Sequence, residues 1–437
     1  MSSQAKTWKP KRRPIPSIAV VVALTLIGIG IVATSGGVAP VKISGSCPER
    51  RTAPVRVSGM DHAVAIAFQG NRLVALDVDG QLWSYDPRNS ETCESVARRI
   101  DIQPETSQGQ ATPPRLQTIA ASSYDGIGIT SDGRLAVWNP ENGHRACPDG
   151  GSPVACTVLL KKGVGDVEGV AGSASHVLVT LRNGNVMSMG MNDCGQLGRA
   201  EAGTLALEQI PSLIDVVAVA TGKRNSMALD RHGRVWTWGN LSHPLIGSST
   251  PFQPTADFLY CSGGSNPFGL SESPAVKPAI VDDLPFAKAI ASFHGFNLVL
   301  DKQGHVWGWG NNDCGQVGGD PSELSHHGGY QPEPQIIAGL PAIQAIAAGR
   351  RHALFLGSDD DVWATGDNGF AELGRMEHFA SNVPACVSST ELAQYDGYSE
   401  KPLRVNGFGR AIAIAAGEDR SAAVDVDGHV WLCDRYP

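Results

Sequence analysis

Long stretches of Ala, Glu, Lys and Leu are missing from these 437 residues, and with them the signature of a helical bundle. Charged residues are sparse at 18% and aromatics at 6%, while hydrophobic residues reach 42%. There is enough apolar surface for a packed core, so a wholly disordered chain is excluded. The sequence has no Cys-x-x-Cys pair, no clustered His and Cys at metal-ligand spacing, no helical HExxH, no nucleophile elbow and no phosphate-cradling Gly loop opening a helix. His326-His327 lacks a third ligand at a telling spacing. Asp77-Val-Asp-Gly80 and Asp425-Val-Asp-Gly428 lack the later bidentate Glu of a calcium loop and read as Asp-Gly hairpin turns. No catalytic residue, cofactor or metal is assigned, and the chain is read as a non-enzyme.

Acidic residues are absent from residues 1–34, which hold Lys6, Lys9, Lys11, Arg12 and Arg13. Beyond them, 30 basic side chains face 43 acidic ones, although the whole chain carries only −8. Affinity for a nucleic-acid backbone comes from Lys and Arg displacing counterions, so an acidic body is expected to bind no nucleic acid. After the basic run, Ile18 to Ala33 is free of charge. Those 16 residues would span roughly 24 Å as a helix, short of a roughly 30 Å bilayer core unless Ile15 and its neighbours join. A basic start, an apolar run and small residues near Ala33 fit either a cleaved export signal or an uncleaved anchor. Both place the body outside the cytoplasm, secreted or membrane-anchored, with residues 15–34 as its one route into a membrane. The domain expectation is a basic segment with signal or anchor over 1–34, a linker over 35–52 and the folded body over 53–437.

Glycine is abundant, at 51 residues, and it punctuates a repeat. A turn followed by a Trp-type strand recurs as VDGQLWSYD at Val78, SDGRLAVWN at Ser131, RNGNVMSMG at Arg182, RHGRVWTWG at Arg231, KQGHVWGWG at Lys302, SDDDVWATG at Ser358 and VDGHVWLCD at Val426. The turn positions Gly80, Gly133, Gly184, Gly233, Gly304, Asp360 and Gly428 are separated by 53, 51, 49, 71, 56 and 68 residues. A period near fifty with variable insertions marks a repeat architecture. Upstream of each turn lie an alternating strand and a small apolar strand, such as AVATG ending at Gly222 and AIAAG ending at Gly349 and Gly417. Further upstream is a fourth strand, introduced by Pro54, Pro278, Pro334 and Pro402 in four copies, with Arg99, Thr157 and Leu207 opening the others. Four such strands make one small antiparallel sheet per copy. These sheets bury both faces only by packing on one another and closing into a ring. The expected fold is therefore all-β: a seven-bladed β-propeller of about seven four-stranded repeats, preceded by one N-terminal hydrophobic helix. The pairs Trp236/Trp238 and Trp307/Trp309 each put two rings on one strand face, where they are expected to wedge between blades.

Gly190-Met-Asn-Asp-Cys-Gly-Gln-Leu-Gly198 and Gly310-Asn-Asn-Asp-Cys-Gly-Gln-Val-Gly318 repeat almost verbatim, and Gly366-Asp-Asn-Gly-Phe-Ala-Glu-Leu-Gly374 is a weaker copy. With the small and Trp strands, these resemble the regulator of chromosome condensation repeat family of seven-bladed propellers, in an exported bacterial-type member. In these loops Gly195, Gln196, Gly198, Gly315, Gln316 and Gly318 are assigned a structural role, with each Gln bonding backbone in a tight turn. The founding member of that family is a nucleotide-exchange factor for a small nuclear GTPase and docks on nucleosomes. Other relatives use the propeller as a protein-binding platform, and one secreted bacterial propeller inhibits β-lactamases. Fold alone transfers none of these functions.

The long insertions all follow the Trp strand, at Asp86 to Arg98, Asn139 to Cys156, Asn240 to Val276, Gly319 to Glu333 and Asp367 to Lys401. Loops at one connection of a fixed repeat emerge on one face, which is the expected binding face. Phe258, Tyr260, Phe268, Tyr330, Tyr395 and Tyr398 are its partner-binding candidates; packing of the loops on themselves is the competing reading for each ring. Five of the nine cysteines, Cys93, Cys147, Cys156, Cys261 and Cys386, fall in these insertions, with Cys47 and Cys433 near the ends of the propeller. This placement suits an oxidising compartment and makes these seven the disulfide candidates. Cys147 with Cys156 is the first choice, and Cys47 with Cys433 or Cys93 would tie the ring's ends. Cys194 and Cys314, at matched repeat positions, read as small buried residues. The function expected is a non-catalytic protein-binding platform outside the cytoplasm for an unidentified protein partner. A secreted inhibitor of an extracellular enzyme and an exchange factor for a small GTPase are the alternatives.

Overall fold

The computed structural model describes residues 54–86, 97–103, 115–121, 126–138, 155–157, 159–160, 164–200, 204–239, 277–320, 329–374, 386 and 397–433. The basic segment, the expected N-terminal helix and the linker lie outside them. Among the described residues there is no α-helix, and so no helix long and apolar enough to cross a membrane.

The chain begins with β1 (Val55–Arg56) and uses it last. Blade 1 is β2 (Ala63–Gln69), β3 (Arg72–Asp77), β4 (Leu82–Tyr85) and β5 (Arg98–Gln103). Blade 2 starts with β6 (Leu116–Ala121), β7 (Gly126–Thr130) and β8 (Leu135–Trp138). The chain then returns as β9 (Ala155–Thr157), parallel to β5 on the rim of blade 1, before β10 (Leu159–Leu160) completes blade 2. Blade 3 is β11 (Val167–Gly172), β12 (His176–Leu181), β13 (Val186–Gly190) and β14 (Thr204–Gln209). Blade 4 is β15 (Val216–Thr221), β16 (Asn225–Asp230), β17 (Val235–Gly239) and β18 (Ala279–Ile280). Blade 5 is β19 (Ala287–Phe293), β20 (Phe296–Asp301), β21 (Val306–Asn311) and β22 (Tyr330–Ile336). Blade 6 is β23 (Ile343–Ala348), β24 (His352–Gly357), β25 (Val362–Asp367) and β26 (Tyr398–Arg404). Blade 7 takes β27 (Ala411–Ala416), β28 (Ser421–Asp425) and β29 (Val430–Cys433) from the end of the chain and closes with β1.

All seven sheets are present, but their frame differs from the sequence repeat. The fourth strand of each sequence copy, read as part of the sheet that follows it, pairs instead with the Trp strand before it. Val55 faces Leu432, Trp236 faces Ile280, and Trp363 faces Arg404. One copy therefore contributes to two blades, and the N-terminal strand locks the ring by completing the last one. Pro332, Pro334 and Pro402 are accommodated because β22 and β26 are outer edge strands, where an N–H is dispensable.

Each pair of innermost strands opens on a register shift, as between Val216 and Ala218 or Ala411 and Ala413. Such bulges raise the local twist that a propeller blade needs. The core is seven separate layers, each between two neighbouring blades. Ile66 and Leu73 of blade 1 pack on Val57, Ala413, Val424 and Leu432 of blade 7, and Leu178 and Val186 of blade 3 pack on Val219 and Trp238 of blade 4. Trp238 and Trp309 are fully buried, while Trp236 and Trp307 are partly buried in the same inter-blade layers. The seven innermost strands line a central channel.

The Asp that ends the second strand fixes the hairpin beneath it. Asp230 Oδ1 accepts the His232 and Arg234 N–H groups at 2.9 and 3.0 Å, and Oδ2 accepts Trp236 Nε1–H at 3.2 Å. Asp77, Asp301 and Asp425 repeat this, with Trp83, Trp307 and Trp431 as donors to the second oxygen. Burial alone would raise these carboxyls, yet the donated hydrogen bonds win and hold Asp230, Asp301 and Asp425 below the usual range.

Candidate functional site

Antiparallel pairing makes the first strand climb the channel, the second descend and the third climb again. First-to-second turns and third-to-fourth insertions therefore open on one face of the ring, and the Asp-Gly hairpins on the other. Three insertion-face loops carry the repeated glycine motif. In the first, Asn192 Oδ1 accepts Leu197 N–H at 2.9 Å and Asn192 Nδ2–H donates to Arg199 O at 3.0 Å; Gln196 Oε1 accepts Cys194 N–H at 2.8 Å. In the second, Asn312 Oδ1 accepts Val317 N–H at 3.0 Å and Gln316 Oε1 accepts Cys314 N–H at 2.9 Å, while Gln316 Nε2–H donates to Asn311 Oδ1 at 2.6 Å. Gly195, Gly198, Gly315 and Gly318 all adopt positive φ. At Gly315 a Cβ would also stand 2.7 Å from Glu400 Cα in blade 6, so this loop leans directly on its neighbour.

The loops latch consecutive blades. The Gln196 carbonyl accepts Ser226 Oγ–H at 2.8 Å and Trp238 Nε1–H at 2.9 Å, the Gln316 carbonyl accepts Thr365 Oγ1–H at 3.0 Å, and the Glu372 carbonyl accepts Ser421 Oγ–H at 2.6 Å. The third copy departs from the others in chemistry. Glu372 stands where Gln196 and Gln316 stand, and Asp367 where Asn311 stands, so an amide pair has become a pair of buried carboxyls. Burial, followed by mutual repulsion, pushes Glu372 well up, and burial pushes Asp367 up to about 6 against the Gly369 N–H and Arg351.

Around the channel mouth the short turns of three successive blades carry Lys223 and Arg224, then His294, then Arg350 and Arg351. Arg224 reaches Asp193 at 3.7 Å and Arg350 reaches Asp419 at 3.8 Å. His294, at φ 39°, is held neutral: burial and the positive charges of Lys223, Arg350 and Arg351 push it down to about 4. Burial also raises Asp313 and Asp419 against the pull of nearby arginines. Half-buried groups with displaced titrations, gathered at a concave mouth, are the physical marks of a recognition site. Sequence reasoning missed this ring. Its signal lies in the residues just after the small strands, TGKRN at Thr221, AGRRH at Ala348 and AGEDR at Ala416, which register only as strand ends.

Of the aromatic candidates, Tyr330 and Tyr398 start the outer strands of blades 5 and 6 at matched positions, opposite Asn311 and Asp367. Burial raises the Tyr330 hydroxyl against its hydrogen bond with Asn311, and burial raises Tyr398 with help from Glu400 and Asp320. Phe258, Tyr260, Phe268 and Tyr395 lie outside the described residues, as do Cys47, Cys93, Cys147 and Cys261. Cys156 is in β9, where only its backbone is described. Cys194 and Cys433 are buried. Cys314, read from its repeat position as a plain buried residue, is instead paired with Cys386, with Cα atoms 5.1 Å apart across 72 residues of sequence. Cys386, from the blade 6 insertion, thus meets the blade 5 motif loop, a contact that no repeat alignment encodes. No sequence spacing suggested a metal site, yet Cys314, Asp367 and Cys386 each offer a ligand atom within 4.8 Å of the others; Asp425, Asp427 and His429 do the same on the hairpin face.

Comparison with known proteins places the repeat. The model for the regulator of chromosome condensation (RCC1) repeat matches residues 303–356, and a second model of the same description matches 216–242 and 343–371. The E3 ubiquitin-protein ligase HERC2 of Mus musculus is 26% identical over 349 residues, which is 77% of this chain but only 6% of HERC2. The guanine nucleotide exchange factor SRM1 of Saccharomyces cerevisiae is 28% identical over 225 residues, 50% of this chain and 40% of SRM1. Among solved structures, Prp20p of Saccharomyces cerevisiae, described with binding to Gsp1p and histones, superposes with a TM-score of 0.59 at 18% identity over 85% of this chain and 81% of that one. That likeness concerns the fold.

Proposed function

Since the chain is a seven-bladed propeller built of regulator of chromosome condensation repeats, we propose that it is a non-catalytic protein-binding platform displayed outside the cytoplasm, which holds its partner on the insertion face. The observation that carries this reading is the placement of Tyr330 and Tyr398. They stand at equivalent positions on adjacent blades, beside latched motif loops and on the same face as the charged mouth. Aromatic anchors backed by rigid structure are what a binding surface needs, because little conformational entropy is lost when they are engaged. The mixed Lys, Arg and Asp ring supplies polar selectivity around them. The basic and apolar residues of 1–34 support the extracytoplasmic placement, and the Cys314–Cys386 pair accords with an oxidising compartment.

The test is affinity capture from the cells that make the protein, with a Y330A/Y398A double variant beside the wild type. A partner recovered by the wild type and lost by about thirtyfold in the variant supports the reading, since paired anchors are worth about 2 kcal/mol or more. Equal recovery by both proteins contradicts it. The similarity to SRM1 favours a second reading, exchange-factor activity on a small GTPase. It predicts that the chain accelerates release of bound guanine nucleotide from a purified small GTPase, which a pure platform or an inhibitor of an extracellular enzyme does not.

A further inference from the structure

We propose that Cys314, Cys386 and Asp367 form a binding site for a thiophilic divalent cation, zinc in the first instance, whenever the two cysteines are reduced. The three ligand atoms lie within 4.8 Å of one another, and the residues are only 0%, 4% and 5% exposed. Two thiolates and a carboxylate are a donor set that zinc accepts, with the fourth position left to a water or an incoming ligand. The repeat itself argues that the carboxylate has a purpose there. Matched positions carry the exposed Met191 in blade 3 and the half-buried Asn311 in blade 5, both neutral. A buried carboxyl at position 367 departs from the neutral residues of the other two copies although a neutral Asn311 makes the equivalent turn bond to Asp313 N–H at 3.2 Å, and such departures mark functional sites. One oxygen of Asp367 is steadied by the Gly369 N–H at 2.9 Å, and the Asp367 N–H donates to Arg351 O at 2.8 Å, so backbone holds the ligand in place.

The chemistry has two states. Paired, the sulfurs form a disulfide and bind no metal. A dithiol or phosphine reductant opens the bond by taking up its oxidising equivalents, giving two thiols. Metal binding then releases both thiol protons, and the +2 charge compensates two thiolates beside the carboxylate. The site competes with the disulfide, so its occupancy follows the redox state of the compartment.

The experiment uses the full chain, reduced with a phosphine and separated from excess reagent, titrated with Co(II) alone and then with Zn(II). The expected result is one Co(II) per chain, with a thiolate-to-cobalt charge-transfer band that Zn(II) removes. The untreated, oxidised chain should show no such band. Asp367→Asn, which copies Asn311 and so preserves the fold, should weaken Co(II) binding by about tenfold or more, and Cys386→Ser should abolish the band. A band absent from the reduced, folded chain, or unchanged in both variants, would overturn the proposal. If Cys386→Ser fails to fold, the Asp367→Asn titration decides alone.

Discussion

His352 shows how a single position can carry a pH dependence. It is fully buried, and burial pushes it down to about 4 against a hydrogen bond with the Arg420 backbone. The matched position in blade 5 is Phe296, equally buried and facing Gly310 as His352 faces Gly366. His176 occupies the same position in blade 3, where it bonds Ser226 across the blade boundary at 2.7 Å and is pushed by burial to about 3. A histidine lowered on folding contributes stability above its unfolded value of 6.5 and loses it as pH falls, because the unfolded chain takes the proton first. His352→Phe should therefore fold, match the wild type near pH 7, and become more stable than it by about 1.4 kcal/mol per pH unit between about pH 6.5 and 4. Thermal melts at stepped pH check this, and parallel Tm curves for the two proteins would contradict it. The buried aspartates work at lower pH. Asp230, Asp301 and Asp425 sit below their ordinary value, so their contribution is full above about pH 4 and disappears as pH falls further.

At the scale of elements, the blade count, the Trp strands and the glycine loops were legible because each obeys a local rule. Period-two alternation, an Asp-Gly hairpin and a small strand are written in neighbouring residues. Strand membership was not, because the fourth strand pairs outward across an insertion of variable length, and nothing local says which Trp strand it meets. The same limit hid the charged mouth, formed by two-residue turns from separate blades, and the Cys314–Cys386 contact, which joins a repeat position to an insertion. The offset frame has a consequence that can be measured. β1 pairs Val55 and Arg56 with Leu432 and Trp431, and the Val57 N–H donates to Val430 O at 2.8 Å. Val57 is 1% exposed in the layer between blades 7 and 1. A chain starting at residue 58 should lose on the order of 3 to 5 kcal/mol relative to one starting at residue 53, through an opened edge and a lost core residue. Denaturant unfolding of the two chains checks it; equal midpoints would mean that β1 does not close the ring.

For the whole molecule, the ring explains how function could be concentrated on one face. Seven inter-blade layers fix the scaffold, so the insertions vary without disturbing the core, and extra length collects where the third strand ends. Placement outside the cytoplasm is a separate claim with its own test, cell fractionation joined to intact-mass measurement with and without reduction. The expected chain is extracytoplasmic and gains mass on reduction, whereas a reduced, full-length cytosolic chain would favour the exchange-factor reading. The central claim, that the insertion face holds the partner, is tested most directly by one set of binding isotherms. The captured partner is titrated against the wild type, against Y330A/Y398A, and against Phe286→Ala, an exposed aromatic at the opposite, hairpin end of the blade 5 inner strand. Weakening of about thirtyfold in the double variant with no change for Phe286→Ala is the predicted result; loss of binding with Phe286→Ala while the double variant binds normally would place the partner on the other face and contradict it.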